Sequence, residues 1–312
     1  MSICMIVPCF NEEEVLPLFM EEMRKVKKLL KRDLTLLFVD DGSRDGTRAL
    51  LRAYAKEPGV SYLAFSRNFG KEAAMLAGFE YAKGDYIGVM DADLQHDPAL
   101  IAQMEQALDE GYDVCATKRS NRLGQSGGYQ LGARGFYAIM NHIAEHVELE
   151  PGVQDFRLMK KTVVQAILQL RENSRFSKGI FSWVGYRIKY LETQDRSRQA
   201  GHTKWSARKS IAYALDGIFS FSVSPLRLAS YTGLFISLIG FLYALYIILS
   251  TLIFGAQTAG FATLACLILI LGGLQLLFLG LIGEYIGRIY KETKRRPLYL
   301  LAEMDLDYDK KA

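Results

Sequence analysis

The chain has 312 residues, 50% of them hydrophobic and 23% charged, which excludes intrinsic disorder and collagen-like repeats. A formal net charge of +4 is too small to argue for a nucleic-acid partner. Its cysteines (Cys4, Cys9, Cys115 and Cys266) form no CxxC pair and have no histidine at zinc-finger spacing, so they read as small buried hydrophobes in a reducing compartment.

The N-terminus, MSICMIVPCFNEEE, has no basic leader and its apolar run stops at Pro8, so it predicts a strand rather than a signal peptide. Short runs rich in Val, Ile, Leu and Phe then recur: Ser2–Val7, Thr35–Val39, Val60–Phe65, Asp85–Met90 and Asp113–Thr117. Helical patterns lie between them, near Glu13–Leu30, Thr47–Lys56, Lys71–Lys83 and Pro98–Glu110. This alternation predicts an α/β domain with a parallel sheet covered on both faces. Asn11 with Glu14 resembles a capping box for the first helix, while Pro17 inside that pattern kinks its first turns or delays its start.

In an open α/β sheet, ligands bind beyond the carboxyl ends of the strands. The segments there are Pro8-Cys9-Phe10-Asn11-Glu12, Asp40-Asp41-Gly42-Ser43, Ser66-Arg67-Asn68-Phe69-Gly70-Lys71 and Asp91-Ala92-Asp93-Leu94-Gln95. Neither GxGxxG after the first strand nor GxxxxGK[ST] anywhere is present, so the dinucleotide and P-loop means of holding phosphate are missing. Carboxylates stand in their place. Asp91 and Asp93, two residues apart at a strand exit, point to the same side. They would repel an anionic diphosphate unless a divalent cation bridged them, and Mg²⁺ is commonly held by one or two carboxylates with phosphate oxygens and water. Gln95 adds a neutral oxygen. Helix capping is the plainer reading of such acids, but Asp97 directly before Pro98 already fills that role. Of Asp40 and Asp41, one reads as a turn former ahead of Gly42 and the other as an acceptor for a nucleobase or ribose.

VPCFNEEE, VDDGSRDGT, SRNFGKEAA and DADLQHDP, in that order over the first hundred residues, resemble glycosyltransferase family 2, whose fold is the nucleotide-diphospho-sugar GT-A type. QDFRL at Gln154–Leu158 and RQAGHTKW at Arg198–Trp205 resemble its polyprenyl-phosphate branch, which includes dolichol-phosphate mannose synthase and bactoprenol glucosyltransferases. The resemblance implies that Pro8, Phe10, Glu12, Val39 and Asp41 line a nucleoside pocket and that Asp91 and Ala92 contact the donor. It further implies that Asp93 and Gln95 hold Mg²⁺ or Mn²⁺, that Arg119 lies on an acceptor loop, and that Arg198 and Lys204 grip phosphate. Asp155 is implied as a general base, although a phosphate monoester, with a second pKa of about 6, has little need of one. Orienting the acceptor or Arg157, or binding a sugar hydroxyl, are alternative roles. There is no QxxRW, which speaks against a processive synthase.

Arg196–Lys209 holds Arg196, Arg198, Lys204, Arg208 and Lys209 and no acid. It reads as an anionic-lipid contact, as a phosphate site in which Gly201 lets the backbone come close, or as both. Ser206–Val223 has the spacing of an interfacial amphipathic helix or of a packed soluble one. From Leu228 to Gly283 there is no Asp, Glu, Lys or Arg. Since a bilayer crossing takes roughly 20 apolar residues, this predicts two spans, Leu228–Phe254 and Gly260–Ile282. Cations at both ends and none in the loop Gly255–Ala259 put both termini in the cytoplasm. Gly272 and Gly273 hint at helix packing and a homo-oligomer. The resulting plan is a catalytic domain at 1–205, a juxtamembrane helix at 206–227, two spans within 228–287 and a cytoplasmic tail at 288–312.

The expected reaction is inverting transfer of a sugar from a UDP- or GDP-sugar, a UDP-hexose being favoured, to a polyprenyl phosphate such as undecaprenyl phosphate at the lipid bilayer surface. The alternatives are transfer to a sugar hydroxyl and a non-catalytic membrane scaffold. The cationic Arg198–Lys204 segment separates phosphate from hydroxyl acceptors, and intact Asp91, Asp93 and Lys204 speak against the scaffold.

Overall fold

A computed structural model describes residues 1–119, 135–144 apart from 136 and 139, 147–193, 217–254 and 260–307. The chain divides into two compact units, one of residues 1–142, 146–217 and 296–312, the other of 143–145 and 218–295.

The first unit is built on an eight-stranded sheet in the order β7-β5-β6-β4-β1-β2-β3-β8. The strands are β1 (Ser2–Cys9), β2 (Asp33–Asp40), β3 (Val60–Phe65), β4 (Tyr86–Val89), β5 (Val114–Arg119), β6 (Val153–Lys160), β7 (Ile188–Thr193) and β8 (Leu301–Asp305). Helices α1 (Leu16–Lys27), α2 (Thr47–Tyr54), α3 (Lys71–Tyr81) and α4 (Leu100–Asp109) follow the first four strands, and α5 (Lys161–Gln169) and α6 (Ser177–Trp183) follow β6. β1 and β2 are apolar runs buried on both faces, as central parallel strands require. Helix α1 buries Leu16, Phe19, Met20, Met23 and Val26, which share one helical face, and Phe19 meets Phe38 of β2 edge-on at 6.0 Å. Each such fully buried side chain contributes about 1.5–3 kcal/mol. Cys4, Cys9 and Cys115 are buried, and burial pushes the Cys4 thiol up to about 11, so they behave as inert hydrophobes.

Three expectations are corrected. The sheet is mixed rather than parallel: β6 runs antiparallel between β4 and β5 and hydrogen-bonds to both. Helix α1 starts at Leu16, with Pro17 in its first turn and no side-chain cap. Pro suits a helix's first turn because its missing N–H would have no intrahelical partner there. Asn11 is instead in the left-handed region at φ 53°, accepts from Arg44 N at 2.9 Å and ties the β1 exit to the β2 exit. Residues 288–312, expected as a tail, instead continue a helix that ends at Thr293 and supply β8, which pairs antiparallel with β3. Asp97 accepts from Ala99 N at 3.0 Å in the turn ahead of α4, whose own N-cap, Ala99, makes no side-chain cap bond.

The second unit contains two apolar helices, α7 (Ser224–Phe254, 31 residues) and α8 (Phe261–Thr293, 33 residues). At about 1.5 Å per residue each is long enough to cross a hydrocarbon core roughly 30 Å thick. Large apolar side chains such as Leu234, Phe241 and Leu276 are exposed along them, as lipid-facing residues would be. Glu284 pairs with Arg288 at 3.0 Å, and Tyr285 donates to Ser222 O at 2.9 Å. Glu284 is thus matched by a cation one turn on rather than isolated in an apolar span. No atom lies within 4 Å of where a Cβ would sit on Gly272 or Gly273, so the described residues do not use them for packing.

Candidate active site

The parallel strands β1 to β4 end on one edge of the sheet, which gathers the segments 10–12, 41–43, 66–70 and 91–95. The antiparallel β6 adds to that edge from the opposite direction. Val89 of β4 faces Arg157 of β6. Two residues further along β4, and two back along β6, bring Asp91 and Asp155 together. Lys71, the first residue of α3, lies between them, with Nζ 2.7 Å from Asp91 Oδ1 and 2.7 Å from Asp155 Oδ2. Burial opposes charge on Lys71 and Asp155, but attraction wins. Asp155 and Asp91 hold the Lys71 ammonium above the ordinary lysine range, while Lys71, Lys178 and Arg157 hold the Asp155 carboxyl well below the usual carboxylate range. Arg157, fully buried over the Phe181 ring at 3.7 Å, donates to the backbone oxygens of Asp155 and Gln154 and fixes the start of β6.

Asp40 and Asp41 take different partners. Asp40 accepts from Ser43 N at 3.0 Å and from Arg48 Nε at 3.0 Å, which makes it the turn former. Asp41, 4% exposed, accepts from Phe69 N at 2.6 Å and from Gly70 N at 3.0 Å. Burial nevertheless pushes its carboxyl up to about 6. Gly42 has φ 71°, and a Cβ there would lie 2.3 Å from the Arg67 carbonyl carbon, so the β2 and β3 exits touch only because the residue is glycine.

Beyond β4, Leu94 is held at φ 52°, a conformation that a bulky residue adopts only under constraint. It shapes the turn in which Gln95 N donates to Asp93 Oδ1 at 3.2 Å. His96 stacks on Phe156 at 5.7 Å, and burial, outweighing Asp91 and Asp93, lowers its pKa and favours the neutral ring. No group of three or more His, Cys, Asp or Glu is gathered among the described residues. Asp93 and Gln95 offer hard oxygen donors at the open edge, and Asp91 beside them is already paired with Lys71. That set fits a cation sharing its coordination with substrate phosphate better than one caged by protein alone.

Pro8 lies in β1 opposite Val39 of β2, which is fully buried. Glu12 N donates to Thr47 Oγ1 at 2.8 Å, and Ala92 is buried between Asp91 and Asp93. With Phe10, these residues occupy the same edge as Asp41. Arg119 ends β5, its N–H bonded to Gly152 O at 3.0 Å. Arg198 and Lys204, with residues 206–216 of the juxtamembrane segment, lie outside the described residues. Lys71 is the site residue that motif reading missed. Its signal was a lysine directly after a strand-exit glycine, in a segment that also carries Ser66, Arg67 and Asn68.

Residues 4–168 match the family model "Glycosyl transferase family 2" and residues 224–289 match "GtrB C-terminal hairpin". The bactoprenol glucosyl transferase of Shigella phage SfV is 41% identical over 302 residues, covering 96% of this chain and 98% of that protein. The uncharacterized glycosyltransferase sll0501 of Synechocystis sp. is 41% identical over 304 residues, covering 97% and 95%. Among solved structures, glucosyl-3-phosphoglycerate synthase from Mycobacterium tuberculosis aligns with TM-score 0.48 and 15% identity over 70% of this chain and 78% of that one. A mixed α/β sheet with a carboxylate-rich edge beyond its strand ends is followed in this chain by two apolar helices, each long enough to cross a membrane. The chain belongs to glycosyltransferase family 2.

Proposed function

We propose that the protein transfers a sugar, with inversion, from a nucleoside-diphosphate sugar to a polyprenyl phosphate at the cytoplasmic face of a membrane, a UDP-hexose and undecaprenyl phosphate being the favoured pair. The observation that carries this reading is the union of a Lys71–Asp91–Asp155 cluster with Asp93 on the open sheet edge, in a chain that also contains an apolar hairpin. Relatives of similar length named bactoprenol glucosyl transferase support the lipid acceptor and the glucosyl donor.

In this reading Asp41 and the residues around it accept the nucleoside, and Asp93 with Gln95 would hold Mg²⁺ or Mn²⁺, which would supply Lewis-acid stabilisation of charge on the departing nucleoside diphosphate. Asp155 serves as an orienting anion for Lys71 rather than as a base: a carboxyl held below its usual range is a weak proton acceptor, and the acceptor phosphate is already ionised. Lys71 fixes both carboxylates and places positive charge beside the diphosphate. Arg119, Arg198 and Lys204 orient the acceptor phosphate for in-line attack on the anomeric carbon, the proximity contribution to rate. Cations flanking the hairpin support a cytoplasmic placement of both ends. The return of the chain to the first unit after α8 is consistent with both ends lying on one side.

Acceptor class is tested by offering undecaprenyl phosphate and undecaprenol to the detergent-solubilised protein. Transfer is expected to the phosphate alone, and Lys204→Ala is expected to raise the KM for it on the order of tenfold, the scale of one charge-assisted contact. Equal transfer to the alcohol would contradict the phosphate site.

A pH dependence follows from Asp41. Its carboxyl is ionised above about 6 and protonated below, so the form that accepts hydrogen bonds from a nucleoside is lost as pH falls. Affinity for an intact nucleotide sugar should decline between pH 7 and 5, and Asp41→Asn should flatten the profile. A parent profile that is flat over that interval, measured by calorimetry, would exclude Asp41 as a donor ligand.

A further inference from the structure

The strand that follows the hairpin lies against the donor edge, and no motif assigns it a role. Two sets of contacts connect it to the pocket. In the first, the Tyr299 ring stacks on Phe65 at 5.0 Å and 15°, and Phe65 meets Phe69 edge-on at 5.7 Å and 88°. Phe69 N in turn donates to Asp41 at 2.6 Å. The neighbouring Ser66 N donates to Leu300 O at 2.9 Å. In the second, Glu303 of β8 receives Arg52 at 2.6 and 2.9 Å and Tyr62 Oη at 3.2 Å, and lies 3.8 Å from Arg48. Arg48 donates to Phe65 O at 2.9 Å and to Asp40 at 3.0 Å, and Asp40 holds the turn at Ser43. Tyr299 Oη also donates to Glu80 on α3, the helix that starts with Lys71. The pairing of β3 with β8 is irregular between Ala64 and Phe65. Such irregularities re-aim side chains next to active sites.

We propose that residues 299–303 form a floor for the donor pocket, with Tyr299 and Glu303 as positioning residues that hold the Ser66–Gly70 segment, and through it Asp41, in the donor-binding arrangement. This rests on the reading of Asp41 as a donor ligand. An exposed edge strand alone would need only backbone pairing or a charge to protect it. The aromatic stack beneath Phe65 and the convergence of Arg48, Arg52 and Tyr62 on one carboxylate go beyond that need, and both lead to the same two loops.

The test uses the full chain in detergent and separates KM from kcat. Tyr299→Leu, which keeps an apolar side chain but removes the stack, is expected to raise the donor KM, and the Kd for the nucleoside diphosphate by calorimetry, on the order of threefold to tenfold. Glu303→Gln is expected to act in the same direction. The acceptor KM, and kcat at saturating donor, should stay within about twofold, a difference of under half a kcal/mol. Tyr299→Phe retains the stack and should restore donor affinity. A purely structural role would lower the melting temperature and the active fraction, reducing apparent kcat at unchanged donor KM, and that result would overturn the proposal. Asp41→Asn runs in parallel. If it weakens donor binding while Tyr299→Leu and Glu303→Gln do not, the floor is refuted and the donor reading stands. If none of the three weakens binding, the donor reading falls and the floor with it.

Discussion

Asp93→Asn is expected to lower sugar transfer by roughly 10²–10³-fold, the scale of several kcal/mol lost from charge stabilisation at the leaving group. Asparagine preserves the shape and an acceptor oxygen, so the bond from Gln95 N and the turn at Leu94 should survive and the melting temperature should hardly move. What disappears is the negative charge at the open edge. Mn²⁺ titration followed by electron paramagnetic resonance, in the presence of nucleoside diphosphate, should show bound metal in the parent and little in the variant. Transfer within about threefold of the parent, or unchanged Mn²⁺ binding, would remove Asp93 from the cation site.

Lys71→Met is expected to be as damaging, by a different route. Asp91 and Asp155 then lose the cation that lies between them. Lys71 is 37% exposed and its partners 33% and 22%. The loss is therefore discounted from the several kcal/mol of a fully buried pair to about 1–2 kcal/mol. Its pH dependence has a definite sign. In the parent, Asp155 is depressed, so its contribution is present above the ordinary carboxylate range and fades only as pH falls through the folded value. Lys71 is raised, so its contribution is present below the ordinary lysine range and fades only as pH rises through the folded value. The parent's cluster should thus be equally stabilising at pH 5 and pH 8. In the variant Asp155 faces Asp91 without the attraction of Lys71, so its folded value rises and stability relative to the parent is lost as pH increases through it. Melting in chelator should show the gap between parent and variant wider at pH 8 than at pH 5, with transfer reduced about 100-fold or more, the scale for a misplaced reacting group. A gap independent of pH would mean that the ion pairs do not set the stability of this edge.

Much of the α/β half is legible in the sequence because its cues are local. Apolar runs of strand length and amphipathic helical faces locate β1 to β5 and α1 to α4, and parallel strands necessarily open their carboxyl ends onto one edge. Hence Asp41, Asp91 and Asp93 could be grouped before their neighbours were known. What escaped is set by partners distant in the chain. The direction of β6 depends on its pairing with β4 and β5, and only that pairing carries Asp155 back to Asp91. Lys71 looks like any first-turn lysine until those two carboxylates converge on it. Asn11 has the composition of a cap, yet its side chain is taken by Arg44 across the β1 and β2 exits. β8 is short, alternates half-buried and exposed residues, and pairs with a strand near the other end of the chain, so nothing local distinguishes it from a tail.

The central claim, that this edge transfers a sugar to a lipid phosphate, is tested most directly by one measurement. The purified protein in detergent would receive undecaprenyl phosphate, Mg²⁺ and radiolabelled UDP- and GDP-sugars in turn, with label followed into the organic phase. The account predicts label from a UDP-hexose, lost with chelator and in Asp93→Asn. Folded protein that binds the nucleotide yet moves no label from any donor would contradict it.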